Sequence, residues 1–152
     1  MKPSGEPPLV LALDDQLCLA LYTASRAMTA RYRALLEPLG LTYPQYLVLL
    51  VLWQEGPSTV GGIGGRIQLE SSTLSPLIKR LESMQLVRRH RDTADERTVV
   101  VELTPDGVAM ERRAAPIPGE VNTAVGMLDS ERSELVERLR GLADRLSLPP
   151  GR

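Results

Sequence analysis

The stretch from Leu69 to Leu103 changes its hydrophobic period once, and this change limits the folds open to the chain. Leucine and isoleucine recur at intervals of three and four in "LESSTLSPLIKRLESMQL", which predicts a helix with an apolar inner face. The next apolar runs, "LVRRH" and "TVVVEL", are rich in β-branched residues and flank the polar stretch "RDTADER". They predict a two-stranded hairpin with a long charged tip. The fold must therefore accommodate a helix that leads directly into a hairpin.

Helical patterns precede this unit. The first predicted helix runs from Asp14, its N-cap, to Leu36, and the second runs from a Thr42 cap to about Gln54, with a proline in its first turn. A short helix in "VGGIGGRIQL" follows a serine or threonine cap. Each glycine in a helix interior costs about 1 kcal/mol relative to alanine. We therefore expect another group to approach this short helix closely.

Helices also follow the hairpin. Ser71 or Ser72 is expected to cap the helix before the hairpin, and Thr104 to cap the helix after it. The prolines of "PIPG" interrupt that helix, and a last helix is predicted from Ser130 to Leu146 with Asp129 as its cap. This order predicts a mainly α fold with a small β-wing: a winged helix-turn-helix DNA-binding domain plus terminal helices that form a dimerisation region.

The domain organisation follows from these elements. We expect residues 1–12, which contain three prolines, to be a flexible N-terminal arm and residues 13–152 to be a single domain. Within it the winged helix-turn-helix covers 43–104, and the dimerisation helices cover 13–40 and 105–148. One small domain can hardly bury the leucine seam of the last helix, so we expect a two-fold homodimer. The seam consists of Leu135, Leu139, Leu142 and Leu146.

Composition excludes several classes of protein. One cysteine in 152 residues cannot form an internal disulfide. The N-terminal residues are too weakly apolar for a signal peptide, and the longest apolar run, eight residues from Tyr46 to Trp53, is too short to cross a bilayer. We expect a cytoplasmic protein that does not act at a membrane. A single histidine far from the cysteine argues against a metal site, and we expect no cofactor.

The charge distribution points to a polyanion partner even though the formal net charge is −1. Residues 76–91 contain five Lys or Arg against one acid, and local potential governs contact with nucleic acid. A recognition helix enters the major groove with its N-terminal end leading, and an arginine on a wing suits the minor groove. We expect Asp95 or Glu96 to hold the Arg97 guanidinium in place. The predicted DNA-binding residues are Ser71, Ser72, Thr73, Ser75, Lys79, Arg80, Arg91, Asp95 and Arg97.

The residues alone leave the role of Cys18 open. A free cysteine usually behaves as a small buried hydrophobe, but a reactive cysteine must be an accessible thiolate. All four tyrosines lie between residues 22 and 46, and Tyr22 is one helical turn from Cys18. Their hydroxyls are candidate hydrogen-bond donors to a thiolate.

Two motifs carry a family resemblance. "LTPDG" after a wing that contains "DER" resembles the MarR family of dimeric winged-helix regulators. "DDQLCLALYTASRAMTARYRALLEPLGLTYPQYLVLLVLW" resembles the organic-hydroperoxide sensors of that family, the OhrR type. The resemblance covers 13–146, although the glycine-rich "VGGIGGR" departs from the usual family sequence.

The resemblance implies a mechanism. The family's reactive cysteine corresponds to Cys18. The two tyrosines that hydrogen-bond this cysteine across the dimer correspond to Tyr32 and Tyr43, and Asp95 and Arg97 match the DER pattern. Organic hydroperoxide would oxidise the thiolate to sulfenic acid, and the repressor dimer would then leave its pseudo-palindromic operator. Without a second cysteine, the chain resembles the one-cysteine subtype. The sulfenic acid must then be capped by a low-molecular-weight thiol, cyclise onto a backbone nitrogen or oxidise further.

Three other functions stay open. The first is a MarR-type repressor that a small phenolic or carboxylate ligand releases, with Cys18 inert. The second is a thiol peroxidase, which the absence of a resolving cysteine disfavours; we expect no enzyme. The third is a non-specific architectural DNA-binding protein, for which a net charge of −1 is unfavourable.

Overall fold

A computed structural model describes residues 13–147 of the chain. The predicted N-terminal arm and the last five residues lie outside the described residues. The elements are α1 Leu17–Leu36, α2 Tyr43–Glu55, β1 Ser58–Thr59, α3 Val60–Ile67, α4 Ser71–Ser83, β2 Val87–Arg91, β3 Val99–Leu103, α5 Pro105–Ala114, α6 Ile117–Val125 and α7 Asp129–Ser147. Short 3-10 turns at Leu13–Asp15 and Glu37–Leu39 flank α1. The mainly α fold with a winged helix-turn-helix is confirmed.

Helix α2 forms the centre of the core. Thr42 caps it with a reciprocal pair of hydrogen bonds: the backbone N–H of Gln45 donates to the Thr42 hydroxyl (3.4 Å), and the Thr42 N–H donates to the Gln45 side chain (3.0 Å). The helix itself carries apolar side chains on nearly all of its faces, which is typical of a buried helix. Its buried apolar side chains are Tyr46, Val48, Leu49, Val51 and Leu52.

The glycine-rich helix α3 packs closely against the turn that leads to α4. A Cβ on Gly64 would lie 2.6 Å from the backbone oxygen of Leu69, whereas a Cβ on Gly61 or Gly65 would meet nothing within 4 Å. The expected close approach therefore exists, and the approaching group at Gly64 is the chain's own backbone. The Gly64 carbonyl also accepts a hydrogen bond from the Leu69 N–H (3.0 Å), which fixes the turn.

The hairpin belongs to a three-stranded antiparallel sheet in the order β1-β3-β2. Thr59 pairs with Val100 on one side of β3, and His90 pairs with the same residue on the other side. Sequence patterns missed β1 because two residues are too few to show a period of two. The wing is defined here as β2, β3 and the tip 92–98 between them.

Three predicted helix caps are wrong by one or two residues. The first helix begins after Gln16, whose carbonyl accepts the first helical bond from Ala20 (3.2 Å), while Asp14 lies in the preceding 3-10 turn. The N-cap of α4 is Glu70 rather than Ser71 or Ser72, because the Glu70 carbonyl accepts the first helical hydrogen bond from the Leu74 N–H (2.9 Å).

Asp129 is likewise the first residue of α7 and not its cap. The carbonyl of Leu128 accepts from the Arg132 N–H (2.9 Å), and the Glu131 carboxylate accepts from the Leu128 N–H (2.9 Å). The predicted interruption near Pro116 is confirmed, since α5 ends at Ala114 and α6 begins at Ile117.

The chain divides into two compact units, Met1–Ala115 and Pro116–Arg152. The first contains α1 to α5 and the sheet, and the second contains α6 and α7. None of the 19 residues of α7 is buried.

Among the described residues no single helix is long and apolar enough to cross a membrane. One pair of helices, Leu17–Leu39 and Tyr43–Glu55, passes that test together, but the pair is bent by 73°.

Candidate DNA interface and cysteine site

The first two turns of α4 present hydroxyl groups on the outside of the molecule. Ser71, Ser72, Thr73 and Ser75 are exposed, and Leu74 between them is fully buried. Leu74, Ile78 and Leu81 anchor the inner face of the helix, at intervals of four and three residues. The burial of this face fixes which side chains α4 offers to a partner. The placement agrees with the predicted recognition helix, although the contacts of these hydroxyls with DNA stay a prediction.

Not every cation in the basic segment is available to a phosphate. The Arg88 guanidinium forms an ion pair with Glu102 on the neighbouring strand. Arg89 donates three hydrogen bonds to the Glu82 carboxylate on α4, two from its side chain and one from its backbone N–H (3.0–3.2 Å). The Arg89 hydrogen bond holds the pKa of Glu82 below its ordinary value of 4.5. The sequence analysis missed this clamp, although a lone acid among five cations was a usable signal.

Lys79 and Arg80, in contrast, are exposed on α4 and form no ion pair within the described residues. Because α4 also carries the exposed hydroxyls, the free cations and the neutral donors share one helix. This arrangement suits a surface on which cations contact the phosphates of a nucleic acid while neutral hydrogen-bonding groups contact its base edges.

The wing tip is organised by its own backbone. The Asp95 carboxylate accepts from the backbone N–H of Arg97 (3.0 Å) and from the Thr98 hydroxyl (3.3 Å). The expectation that Asp95 or Glu96 holds the Arg97 guanidinium is wrong: Asp95 holds the backbone of the tip, and the Glu96 carbonyl accepts from the Arg91 guanidinium (3.0 Å). The Arg97 side chain is exposed on this hydrogen-bonded tip.

Cys18 lies at the second position of α1 and is exposed, so it is not part of the core of this chain. Neighbouring apolar side chains are exposed too: 61% of Leu17 and 60% of Tyr22 are accessible. The Arg26 guanidinium lies over the Tyr22 ring, 5.5 Å from its centroid. The N-terminal part of α1 therefore presents a thiol surrounded by uncovered apolar surface.

Three tyrosines form a cluster where α1 meets α2. The Tyr32 and Tyr43 rings lie 4.6 Å apart, and Tyr46 lies 5.9 Å and 6.4 Å from them. Burial raises the pKa of Tyr32 and of Tyr43, and it raises the pKa of Tyr46 to about 12. All three phenols therefore keep their protons at neutral pH and can donate hydrogen bonds. Tyr22 does not belong to this cluster.

Within one chain the cysteine and the tyrosine pair are far apart. Cys18 and Tyr32 are separated by 14 positions on the continuous helix α1. At about 1.5 Å per residue this separation is about 21 Å along the helix axis. A hydrogen bond between the Cys18 sulfur and the Tyr32 or Tyr43 hydroxyl of the same chain is therefore impossible.

No cluster of three or more His, Cys, Asp or Glu side chains in residues 13–147 could hold a metal ion.

Comparisons with known proteins place this geometry in a family. The sequence profile of the SarA/Rot transcriptional regulators matches residues 31–111. The HTH-type transcriptional regulator TtmR of Methylorubrum extorquens is 46% identical over 140 residues, which cover 92% of this chain and 72% of TtmR. The organic hydroperoxide resistance transcriptional regulator of Bacillus subtilis is 45% identical over 111 residues, which cover 73% of this chain and 76% of that protein.

Solved structures of AbfR bound to DNA show the same fold. The reduced form has a TM-score of 0.75 at 36% identity, covering 88% of this chain and 93% of AbfR. The overoxidised form, also bound to DNA, has a TM-score of 0.73 at 36% identity, covering 88% of this chain and 94% of AbfR. The mainly α fold with its winged helix-turn-helix agrees with these matches. The chain belongs to the MarR family of winged-helix transcriptional regulators and is of the organic-hydroperoxide-regulator type.

Proposed function

We propose that the protein is a redox-sensing transcriptional repressor. The reduced form binds duplex operator DNA as a homodimer, and oxidation of Cys18 by an organic hydroperoxide releases it. The observation that carries the proposal is the separation of about 21 Å along α1 between the exposed thiol of Cys18 and Tyr32, whose ring lies beside that of Tyr43 on α2. A second copy of the chain is the simplest way to bring the two together.

Uncovered apolar surface on two helices supports the homodimer. Only Leu36 of the 20 residues of α1 is buried, and none of α7 is. Clustered exposed apolar side chains on a helix typically mark an interface. The exposed apolar residues are Leu17, Leu19, Tyr22 and Met28 on α1 and Leu135, Val136, Leu139 and Leu146 on α7. A two-fold axis would place two α4 helices on successive major grooves of a pseudo-palindromic operator.

The chemistry needs the thiolate of Cys18 and two proton donors. The first turn of a helix favours a negative charge, and hydroxyl donors from Tyr32 and Tyr43 of the partner subunit would stabilise it further. The thiolate sulfur attacks one peroxide oxygen, so that an S–O bond forms as the O–O bond breaks. The sulfur loses two electrons and becomes sulfenic acid, while the departing alkoxide takes a proton and leaves as an alcohol.

The sulfenic acid can then condense with a low-molecular-weight thiol. A mixed disulfide forms and water leaves, so no further oxidant is needed. Either product is larger and more polar than the thiol. We infer that it disturbs the contacts at the dimer interface and rotates one winged domain against the other, so that the half-site spacing no longer fits the operator. We place the protein in the cytoplasm, where it meets the operator.

The test measures DNA affinity and cysteine mass on the same samples. Fluorescence anisotropy with the DNA upstream of the chain's own gene gives Kd before and after cumene hydroperoxide, and intact mass gives the oxidation state of Cys18. We expect the loss of affinity to follow a mass gain confined to Cys18. Because AbfR is also known bound to DNA in an overoxidised form, each oxidation state must be assigned separately.

The matched variants are Cys18→Ser and Met28→Leu, since each removes one exposed sulfur from α1. Met28→Leu should respond to peroxide like the parent protein, and Cys18→Ser should stay on DNA. Release of Cys18→Ser by peroxide would refute the redox function and favour a repressor with a small-molecule ligand. Many turnovers of peroxide per subunit with excess thiol would instead indicate a peroxidase.

A further inference from the structure

The tyrosine cluster continues through α2 to the only tryptophan of the chain. Tyr46 is 2% exposed, and its ring lies against the Tyr32–Tyr43 pair. The Tyr46 ring also forms an edge-to-face contact with the Trp53 ring, at a centroid distance of 6.3 Å and an interplanar angle of 64°. Such edge-to-face contacts have a specific geometry and add to the energy of burial. The four rings therefore form one connected set.

Trp53 in turn is bound to the beginning of α5. Its indole Nε1–H donates to the Gly107 carbonyl at 3.0 Å, across 54 residues of sequence. Gly107 packs directly against the turn before β2, because a Cβ there would lie only 2.0 Å from the backbone oxygen of Leu86. The indole is thus attached to a segment that is in close contact with the residue before the wing.

The beginning of α5 is also the base of the wing. The Thr104 hydroxyl donates to the Gln85 carbonyl (2.6 Å), and the Thr104 N–H donates to the Leu86 carbonyl (3.0 Å). Leu86 directly precedes β2, and Thr104 directly follows β3. A displacement of the Gly107 carbonyl is therefore transmitted to both strands of the wing.

We propose that Tyr46 and Trp53 are positioning residues that couple the state of Cys18 to the wing. The inference rests on the proposed function, in which the Tyr32–Tyr43 pair contacts the partner's thiol. When that contact is lost, the rings of the pair change position, and the buried Tyr46 ring has no free volume in which to absorb the change. Trp53 then pulls on the Gly107 carbonyl, and the wing tip leaves the orientation that suits DNA.

The first experiment separates chemistry from coupling. Trp53→Phe keeps a six-membered aromatic ring but loses the indole N–H, so that the hydrogen bond to Gly107 is removed together with the volume of the five-membered ring. We expect Cys18 to be oxidised at a rate within about twofold of the parent. The ratio of Kd for oxidised protein to Kd for reduced protein should fall about fivefold, the size of effect expected for one hydrogen bond in an allosteric coupling. An unchanged ratio would overturn the proposal.

Arg113→Gln is the matched control. It removes another hydrogen bond from a side chain to a distant carbonyl, that of Arg113 to Pro38 (3.2 Å), which also involves α5 but does not connect to the ring set. Its Kd ratio should equal that of the parent. An equal fall in both variants would mean that general loosening of α5, rather than the indole bond, carries the signal.

The second experiment needs no substitution at the ring set. Trp53 is the only tryptophan of the chain, so its fluorescence reports directly on the indole. After peroxide is added, the Trp53 emission of the parent should change at the same rate as Cys18 is oxidised. The emission of Cys18→Ser should stay constant. If the parent is oxidised and leaves DNA while the emission stays constant, the coupling is refuted and the redox function survives. If oxidation leaves DNA binding intact, the redox function itself fails.

Discussion

The sharpest stability test uses two neighbouring glycines of α3, because the same substitution should act in opposite directions. Gly65→Ala adds a methyl group that meets nothing within 4 Å, so it should only improve helix propensity. We expect the free energy of unfolding to rise by about 0.5–1 kcal/mol. Gly64→Ala gains the same propensity, but its methyl group would lie 2.6 Å from the Leu69 carbonyl oxygen. Overpacking of this kind costs about 1–3 kcal/mol, so the net effect is a loss of about 1 kcal/mol.

The measurement is urea unfolding followed by the Trp53 emission at one fixed protein concentration, which keeps any contribution of association equal. The two variants should differ by about 2 kcal/mol, or about 4–8 °C in Tm, with unchanged m values. Gly65→Ala should also keep the parent's affinity for DNA if no phosphate approaches that face. If Gly64→Ala stabilised the protein as much as Gly65→Ala, the turn after α3 would not be packed as described.

Three further predictions concern α4, the wing and the turn between them. Glu82→Gln should lower the free energy of unfolding at pH 7 by about 0.2–1 kcal/mol. The pKa of Glu82 is lowered in the folded state, so the parent is more stable than the variant above the ordinary value of 4.5. In pH-dependent unfolding curves this difference should vanish as the carboxyl becomes protonated at lower pH. Gln85→Gly should raise Tm, because Gln85 has a φ of 62°, a conformation that costs a residue with a side chain about 1 kcal/mol; a lower Tm would contradict this. Arg80→Ala should reduce the slope of log K against log salt by about 0.9, whereas Arg88→Ala, which loses a guanidinium already paired with Glu102, should leave it nearly unchanged; equal slopes would contradict the assignment of free cations.

The fold was predictable where local chemistry decides it. Thr42 with Pro44 and Gln45, and Thr104 with Pro105, are cap sequences whose hydrogen bonds form within the first turn, and both helices begin as predicted. The wrong caps occur where several polar residues compete for the role. "DDQ" and "ESS" each offer more than one candidate, and helix ends are defined by sequence only to within one or two residues.

The candidate site was predictable only in part for a different reason. The sequence placed Tyr32, Tyr43 and Tyr46 in one region, but the bond between Trp53 and Gly107 joins residues 54 positions apart, and no periodicity encodes it. The role of Asp95 was misjudged because a carboxylate beside an arginine suggests an ion pair. In a tight turn the nearby backbone N–H is the closer and better-oriented donor, as the Asx-type bond to Arg97 shows.

The pairing of charges explains how a chain with a formal net charge of −1 can bind a polyanion. Glu82 and Glu102 neutralise Arg89 and Arg88, and by doing so they attach the base of the wing to α4 and stiffen its strands. The other predicted DNA-binding cations are Lys79 and Arg80 on α4, Arg91 at the end of β2 and Arg97 in the wing tip. Glu82 inside the basic segment and Glu102 on β3 are thus neutralised by arginines and do not oppose DNA binding. Each of the two ion pairs engages one arginine, and we predict that Lys79, Arg80, Arg91 and Arg97 contact the phosphates. A wing held by these ion pairs is also what a coupling through Gly107 requires.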